Sequence, residues 1–282
     1  MSESDTIPQF KRGGVGSDKV DISGGMSSLA AGPGIRSLSE VLAIIAVAVM
    51  IIGGTELALN LFAVPQYILP KPSEIAMALV SDFHLIAPQL GHTLIELFSG
   101  FGIGAVVGLV LAAVITQYPF AEKIITPYIL LLVTTPMLAL VPLLILRFGF
   151  GYEPRIIAVA LASGPMVMIN AATGFRRVDS GKIALARSYG ASTLQIFWKV
   201  RAPMALPMIF VGLMVGSIFG LLTAVGAEMV GGGFGLGNRL TSYSSMIQMP
   251  QFFAVVLILS ILGILIYTLF FLLGKKFASW EA

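Results

Sequence analysis

Stretches of chain without any charged residue constrain this protein more than any other feature of its sequence. Five of them recur, at residues 97–121, 124–146, 156–175, 202–227 and 240–274. Each one meets the requirement of about 20 apolar residues for crossing a hydrocarbon core about 30 Å thick. Only 11% of the residues are charged and 57% are hydrophobic, whereas charged residues make up about 25% of a soluble domain. The sequence therefore predicts a protein that crosses the membrane several times.

A sixth span is predicted in the shorter apolar run that Glu40 and Glu56 flank. Lipid offers the backbone no hydrogen-bond partners, so spans of this length are predicted to be α-helices and the fold to be all-α. Residues 1–37 are rich in Gly and Ser and predict a flexible cytoplasmic tail ahead of a transmembrane domain at 38–280. The six spans are expected at about 38–60, 91–116, 124–146, 155–175, 204–226 and 251–273.

Lys and Arg are distributed unevenly between the two sides of the predicted spans. With the N-terminus inside, only four of the 17 basic residues lie outside, namely Lys71, Arg147, Arg155 and Arg239. Cytoplasmic loops carry the excess of basic residues in membrane proteins. Both termini are therefore predicted to face the cytoplasm.

Several chemistries are missing from the sequence. It contains no cysteine, which excludes disulfides and thiolate sites, and its net charge of +3 gives no reason to expect a nucleic-acid partner. A phosphate-binding loop needs GxxxxGK followed by Ser or Thr, and neither Gly181-Lys182 nor Gly274-Lys275 meets this pattern. No cofactor is therefore expected in this chain. The 13 methionines are accompanied by only two histidines, so they are interpreted as apolar filler and no metal site is expected.

One predicted cytoplasmic segment, residues 176–203, is longer and more polar than the other loops. Ile183 and Leu185 belong to an apolar stripe that suits a short helix, and Gly190 suits the left-handed turn that ends a helix. A second amphipathic stretch leads to Pro203 at the start of span five. On composition alone, an ordinary basic loop that fixes the topology is an equal alternative.

The spacing within this segment resembles a family signature. The inner-membrane subunits of binding-protein-dependent ABC importers carry E-A-A, three residues, G, nine residues and I-x-L-P on the cytoplasmic side. Here Ala184-Leu185-Ala186 is followed by three residues and Gly190, and nine more lead to Val200-Arg201-Ala202-Pro203. The leading Glu is replaced by Ala184 and I-x-L-P by V-x-A-P, a departure that is common in the nitrate, sulfonate and taurine branch.

Other segments are similar to the same branch, and together they cover roughly residues 65–280. They are LPKPSE at 69–74, PMLALVPLL at 136–144, FGFG at 148–151, AEM at 227–229, GLG at 235–237 and Trp280. The resemblance implies a type I ABC importer permease fold with six transmembrane helices in a bacterial inner membrane.

The resemblance also implies partners. Such a permease works with two ATPase subunits, which use ATP and Mg, with a periplasmic solute-binding protein and with a second permease copy. A homodimer is the simplest arrangement, and a heterodimer with a related permease is the alternative. Residues 184–190 are implied to form a coupling helix that sits in a groove of the ATPase. The implied coupling residues are Ala184, Leu185, Ala186, Arg187, Gly190 and Pro203.

A second group of residues is predicted near the passage or its outer mouth: Arg147, Glu228, Thr134, Thr135 and Asn170. Charged residues in or beside spans are functional candidates by default. Glu96 and Glu228 are expected to reach water at the ends of their spans, or else to pair with one of Arg147, Arg155 and Arg239. Arg147 either attracts an anionic solute or anchors span three at the headgroups. The polar side chains of the spans, which also include Ser163, Thr173, Ser217 and Thr223, either line the passage or hydrogen-bond between helices.

Glycines recur every four residues in two of the predicted spans, at Gly100, Gly104 and Gly108 and at Gly212, Gly216 and Gly220. This spacing of small residues predicts close helix packing. The glycines at 231–237 are expected to form an external turn.

The expected function is ATP-driven uptake of a small solute, with an anion such as nitrate, a sulfonate, taurine, bicarbonate or an aromatic acid as first choice. A neutral or cationic heterocycle, such as a pyrimidine vitamin precursor, is the alternative. A secondary transporter that works without ATP is less favoured, because ion coupling needs carboxylates within the spans. A membrane-embedded enzyme is disfavoured, since His84 and His92 stand in no catalytic pattern. The chain is not expected to be an enzyme.

Overall fold

The structure, a computed structural model, describes residues 38–277, and every element in that range is helical. In chain order the helices are α1 (Leu38–Leu61), α2 (Pro72–Ser81), α3 (Phe83–Gln117), α4 (Pro119–Thr134), α5 (Met137–Phe148), α6 (Glu153–Arg176), α7 (Ser180–Ser188), α8 (Thr193–Ile196), α9 (Ala202–Gly231), α10 (Leu236–Ser245) and α11 (Met249–Phe277). A π-helical turn, Phe197–Arg201, joins α8 to α9. The predicted tail at 1–37 and Trp280 lie outside the described residues.

The chain divides into two units, and the division falls within α1 after Gly54. The described part of the first unit, residues 38–54, is an apolar helix whose large side chains are exposed, among them Leu42 at 58% and Met50 at 73%. The second unit begins at Thr55 and contains the remaining helices and the buried core.

Five helical runs are long and apolar enough to cross a membrane: α1, α3, α6, the run from α8 through α9, and α11. If α4 and α5 together count as one broken span, the number rises to six. The predicted all-α membrane fold is confirmed.

The third predicted span is bent. The chain turns by 95° between the end of α4 at Thr134 and the start of α5 at Met137. Thr135 is extended, with φ −77° and ψ 127°, because a residue before proline is pushed out of the helical region. Pro136 in turn lacks the N–H that a continuing helix needs. Residues 124–146 therefore form two helices rather than the single straight span that their apolar length suggests.

Helix α6 packs against both α3 and α9, and glycines bring the three backbones close together. A Cβ added at Gly100 would lie 2.6 Å from the Cβ of Val159, and one added at Gly216 would lie 2.7 Å from the Cγ2 of Val167. Both valines belong to α6, so these positions have no room for a side chain. The predicted role of the two glycine series in close helix packing is confirmed.

The buried core follows the same three helices. Leu97 of α3 and Leu221 of α9 belong to one cluster with Val159 of α6. A second cluster joins Phe175, near the C-terminus of α6, to Phe197 of the π-helical turn, with ring centroids 5.1 Å apart. The core therefore extends from the membrane helices to the two ends of the segment that contains α7.

Two spans continue as helix beyond their apolar stretches. Helix α3 begins at Phe83, whereas the span was expected from about residue 91, and the helical run of span five begins at Thr193 rather than at about 204. Hydropathy places a span boundary where the composition becomes polar, but a helix continues wherever its neighbours hold it. In the α3 extension, Gln89 accepts a hydrogen bond from the Gly235 N–H just before α10.

Candidate functional site

Helix α7 lies within the loop that was predicted to meet an ATPase. Asp179 caps its N-terminus, since the carboxylate accepts a hydrogen bond from the Gly181 N–H at 2.8 Å. None of its residues is buried, and Leu185 is 58% exposed and the following Tyr189 84% exposed. Helix α7 therefore exposes most of its residues, with Ile183 and Ala186 half-buried.

The turn after α7 is tight and depends on Gly190. This residue has φ +78°, a left-handed conformation that glycine adopts without steric cost. The N–H groups of Gly190 and Ala191 donate to the carbonyls of Arg187 and Ala186 at 2.9 and 3.1 Å, which closes the C-terminus of the helix. The predicted helix and left-handed turn at this position agree with the observed backbone.

The C-terminal part of the segment, residues 197–201, contacts two membrane helices. Phe197 is buried against Phe175 of α6, and the Arg201 guanidinium donates to the Thr116 carbonyl of α3 at 3.2 Å. Within α7 itself, Lys182 Nζ lies 3.9 Å from Met204 Sδ of α9. Helix α6 leads into the segment and α9 leads out of it.

The implied coupling residues differ in exposure. Ala184, Leu185, Arg187 and Gly190 are exposed, whereas Ala186 and Pro203 are half-buried. Pro203 lines an apolar cavity of about 590 Å³ beside the π-helical turn. A contact of these residues with an ATPase stays a prediction.

A cavity of about 300 Å³ opens at the break between α4 and α5. Its wall comes from the residues around the break, from α6 and from α9, and includes Thr135, Pro136, Met166, Phe219 and Thr223. No charged side chain is among its lining residues in the described range. The break thus makes room between the helices without creating a charged site.

The polar side chains of the predicted passage bond within their own helices. Thr135 donates to the Leu131 carbonyl at 2.7 Å, and Asn170 donates to the Met166 carbonyl at 2.8 Å. The same pattern, with the acceptor three or four residues earlier, holds for Thr134, Ser163, Thr173, Ser217 and Thr223. The alternative that these groups hydrogen-bond between helices is therefore not observed, and a role in lining the passage stays a prediction.

Arg147 lies in the last turn of α5 and is exposed. Its guanidinium carbon lies 5.9 Å from the centroid of the Phe148 ring. This position is compatible with both roles predicted for it, attraction of an anion and anchoring at the headgroups.

A buried ion pair joins α3 to α6. The Arg155 guanidinium donates to Glu96 Oε1 at 2.8 Å, and the two side chains are 1% and 0% exposed. Of the two expectations for Glu96, pairing with Arg155 is confirmed, whereas access to water is wrong. Glu96 also lies in the interior of α3, because this helix begins at Phe83.

Glu228 is also buried, at 0% exposure. Its Oε1 accepts from the Thr93 hydroxyl and its Oε2 from the Gly237 N–H, both at 2.7 Å. The expected access of Glu228 to water is therefore wrong, since its carboxyl group is enclosed by α3 and α10. Its place near the passage or its outer mouth stays a prediction.

The expected external turn at 231–237 is built into this buried cluster. Helix α9 ends at Gly231 and α10 begins at Leu236, so only four residues connect them. Arg155 donates to the carbonyls of Gly232 and Phe234, and Gln89 of α3 accepts from the Gly235 N–H at 2.7 Å. The guanidinium carbon of Arg155 also lies 4.1 Å from the centroid of the Phe234 ring. We call this connection, Gly232–Gly235, the glycine loop.

Several members of the cluster were not predicted from the sequence. His92 is hydrogen-bonded to the Tyr152 hydroxyl, and both rings pack against Phe234. Thr93 and Gln89 hold the start of α10. Gln89, His92 and Thr93 precede Glu96 at the spacing of one helix face. This spacing and the glycines at 231–237 were the features of the sequence that could have indicated the cluster.

No group of three or more His, Cys, Asp or Glu side chains among the described residues is arranged to hold a metal ion.

Residues 104–279 match the family described as "Binding-protein-dependent transport system inner membrane component". This match covers more than half of the chain, and the chain belongs to this family. It is therefore the membrane permease component of an ABC importer, a multi-pass protein that works with ATPase and binding-protein partners and is not itself the catalytic subunit.

Several permeases are similar to this chain. SsuC of Bacillus subtilis, named for aliphatic sulfonates transport, is 30% identical over 79% of this chain and 81% of its own length. TauC of Escherichia coli K12, a taurine transport system permease, is 30% identical over 70% of both chains. RibX of Chloroflexus aurantiacus, a riboflavin transport system permease, is 28% identical over 77% of this chain and 82% of its own.

Solved structures support the fold. An inward-facing structure of the MetNI methionine ABC transporter superposes with a TM-score of 0.62 at 19% identity, covering 70% of this chain and 98% of the matched one. An amino acid ABC transporter with histidines has a TM-score of 0.58 at 22% identity, covering 72% and 97%. These similarities confirm the importer permease fold that the signature implied.

Proposed function

We propose that this permease imports a small anionic solute and that a separate ATPase drives it through α7. The observation that carries the proposal is α7 itself, a short helix with no buried residue that stands between α6 and α9. A helix with free surface is suited to docking on another subunit. Its segment is anchored to α6 through Phe197 and to α3 through Arg201.

The proposed mechanism is alternating access. Two copies of the permease, most simply identical, each contribute one α7 to one of two ATPase subunits. Binding of ATP and Mg brings the ATPase subunits together, and α7 transmits this movement to α6 and α9. Both helices contribute to the wall of the 300 Å³ cavity at the α4–α5 break. Their movement therefore changes the space available to a solute delivered by the periplasmic binding protein.

The coupling role is tested at Gly190. Valine disfavours the left-handed conformation by about 1–2 kcal/mol, whereas asparagine adopts it more readily. A Cβ at this position meets no atom within 4 Å, so the two variants differ in backbone conformation rather than in packing. We expect Gly190→Val to lower ATP-driven uptake in proteoliposomes about tenfold and Gly190→Asn to retain most of it. Uptake is measured with the ATPase and the binding protein present.

Equal uptake by both variants, with the ATPase still co-purifying, contradicts a role for this turn in coupling. Uptake that continues when the ATPase is left out contradicts the ATP-driven mechanism altogether. The second result would favour the secondary transporter that the sequence left as an alternative.

The anionic cargo is supported by the names of two relatives, which concern aliphatic sulfonates and taurine, and by the exposed cation of Arg147. A heterocycle is the second candidate, since RibX is named for riboflavin and ThiX of Halalkalibacterium halodurans for formylaminopyrimidine. The cavity has no charged lining residue in the described range, so we assign selection of the solute mainly to the binding protein.

The cargo class is tested by a thermal-shift screen of the cognate binding protein. The panel contains nitrate, bicarbonate, alkanesulfonates, taurine and aromatic acids on one side, and riboflavin and formylaminopyrimidine on the other. We expect an anion to raise the melting temperature. If only a heterocycle does so, the proposed cargo is wrong while the coupling mechanism is unaffected. With the cargo known, Arg147→Gln is expected to raise the KM for an anion, and Arg147→Lys is the matched control.

A further inference from the structure

Two buried carboxyl groups share one buried cation where α3, α6 and α9 meet α10. Glu96, Glu228 and Arg155 are all at most 1% exposed. Arg155 interacts electrostatically with both carboxyl groups, and the two carboxyl groups are near enough to interact with each other. If all three side chains were ionised, the cluster would carry one uncompensated negative charge.

The hydrogen-bond donors are divided unequally between the two carboxyl groups. Each oxygen of Glu228 accepts from its own donor, the Thr93 hydroxyl or the Gly237 N–H. Glu96 Oε1 accepts from Arg155. In contrast, Glu96 Oε2 is buried and has no hydrogen-bond donor in the part of the chain that the structure describes. Leaving a buried acceptor without a donor costs free energy, and more so when the group is charged.

We propose that Glu96 holds a proton on Oε2 and donates it to the Glu228 carboxylate, so that the cluster binds one proton and has no net charge. Two ionised carboxylates only accept hydrogen bonds, so the buried Oε2 of Glu96, which has no donor, can form a hydrogen bond with Glu228 only if it carries a hydrogen itself. Two like charges in contact at a buried site also disfavour double ionisation. The proton belongs on Glu96 because both oxygens of Glu228 already accept from other donors.

The other ionisable side chains around the cluster have separate interactions. His92, which precedes Glu96 on α3, is hydrogen-bonded to the Tyr152 hydroxyl. Arg239 on α10 interacts electrostatically with Tyr243 of the same helix. Arg155 is thus the cation for both carboxyl groups, and one proton completes the charge balance.

The proton has a structural consequence for the glycine loop. Arg155 holds two carbonyls of this loop, while Glu228 holds the N–H of Gly237 just after it. Arg155 and Glu228 thus hold the two ends of the same short connection. Without the proton, repulsion between Glu96 and Glu228 would loosen the connection between α9 and α10.

Infrared spectroscopy of the purified permease tests the proton directly. A protonated carboxyl group has a C=O stretching band that an ionised carboxylate lacks. We expect this band at neutral pH in the unmodified protein, and we expect Glu96→Gln to remove it. Glu153→Gln, at an exposed position of α6, is the matched control and leaves the band in place. If no band depends on Glu96, the proposal is overturned.

The pH dependence of unfolding gives an independent measurement. With the proton present, the native state binds one proton more than the unfolded state at neutral pH, so stability falls as pH rises. The unfolding equilibrium constant then changes by about tenfold per pH unit relative to Glu96→Gln, which has no proton to lose. The other titrating groups are the same in both proteins, so their contributions to the pH dependence cancel when the two profiles are compared. Identical pH profiles contradict the proposal.

A third measurement tests which residue holds the proton. In Glu96→Gln the amide imitates the protonated acid, because its oxygen accepts from Arg155 and its NH₂ donates to Glu228. In Glu228→Gln an NH₂ group replaces an oxygen that now accepts from Thr93 or Gly237. Hydrogen exchange at residues 232–237 is therefore expected to accelerate several-fold more in Glu228→Gln than in Glu96→Gln. The opposite order would place the proton on Glu228.

Discussion

Individual glycines determine how closely the central helices approach. At Gly104 of α3, an added Cβ would clash with the Ser163 hydroxyl and would lie 2.7 Å from the Ala160 carbonyl oxygen. Two residues earlier in the same helix, a Cβ at Gly102 would meet no atom within 4 Å. The contrast arises because one residue faces α6 and the other does not. Gly102 and Gly104, two residues apart in one span, thus differ in whether they leave room for a side chain.

This contrast gives a prediction for a matched pair of variants. Gly104→Ala is expected to destabilise the protein by about 1–3 kcal/mol, since extra volume in a packed interface forces the backbone to shift. Gly102→Ala has open space and removes a helix-destabilising glycine, so it is expected to be neutral or slightly stabilising. Thermal unfolding in detergent measures both. An equal loss of stability in the two variants would show that helix propensity, rather than packing, controls this face.

At the scale of elements, the most consequential feature is the break between α4 and α5. It places a 95° turn and a cavity within a stretch that is apolar enough to be a straight span. Thr135 and Pro136 cause the turn through elementary backbone restrictions. The break thus opens a cavity of about 300 Å³ that α6 and α9 also line.

The bend predicts a measurable distance between Ile124 and Leu146, which are 48% and 85% exposed. In a straight helix their separation is about 33 Å, whereas two arms at 95° bring it to about 20–25 Å. The sequence has no cysteine, so spin labels at Ile124→Cys and Leu146→Cys need no background mutations. Ile95→Cys and Gln117→Cys on α3 have the same sequence separation and are expected at about 33 Å.

The labelled chain is mixed with an excess of unlabelled chain, so that distances within one copy dominate the measurement. A separation near 33 Å for the first pair would mean that α4 and α5 form one continuous helix. In that case the cavity at Pro136 would not exist in the membrane.

Much of this organisation was predictable from the sequence, and the exceptions have physical causes. Charge-free intervals located the spans because a bilayer excludes charges over a known length. The break was present as Thr135-Pro136, but apolar length alone concealed it. The pairing of Glu96 with Arg155 was one of three open choices, because residues 59 positions apart in the chain are brought together only by packing. Burial of Glu228 depends on α10, whose polar sequence gave no reason to place it against α3.

At the scale of the whole molecule, α7 and α10 belong to opposite sides of the membrane in the predicted topology. The basic residues around α7 are predicted to be cytoplasmic, and Arg239 in α10 is predicted to lie outside. Tyr189, next to α7, is 84% exposed, and Met246, next to α10, is 67% exposed. The two positions are therefore matched reporters of orientation.

We expect a membrane-impermeant maleimide to label Met246→Cys in right-side-out vesicles and Tyr189→Cys in inverted vesicles. Added ATPase is expected to protect Tyr189→Cys, which flanks the proposed coupling surface, without changing the labelling of Met246→Cys. Labelling of both positions from the same side would contradict the topology. A lack of protection would contradict only the location of the ATPase contact.

The π-helical turn at Phe197–Arg201 determines the direction in which α8 extends from α9. Such a turn holds one residue more than an α-helical turn, and each residue advances a helix by about 100°. The direction in which α8 leaves the membrane helix is therefore set by a single extra residue. Deletion of Lys199 would keep the residues of α7 intact but rotate the helix by roughly a quarter turn about the axis of α9. If α7 docks on the ATPase as proposed, the fit depends on this rotation as well as on the residues in contact.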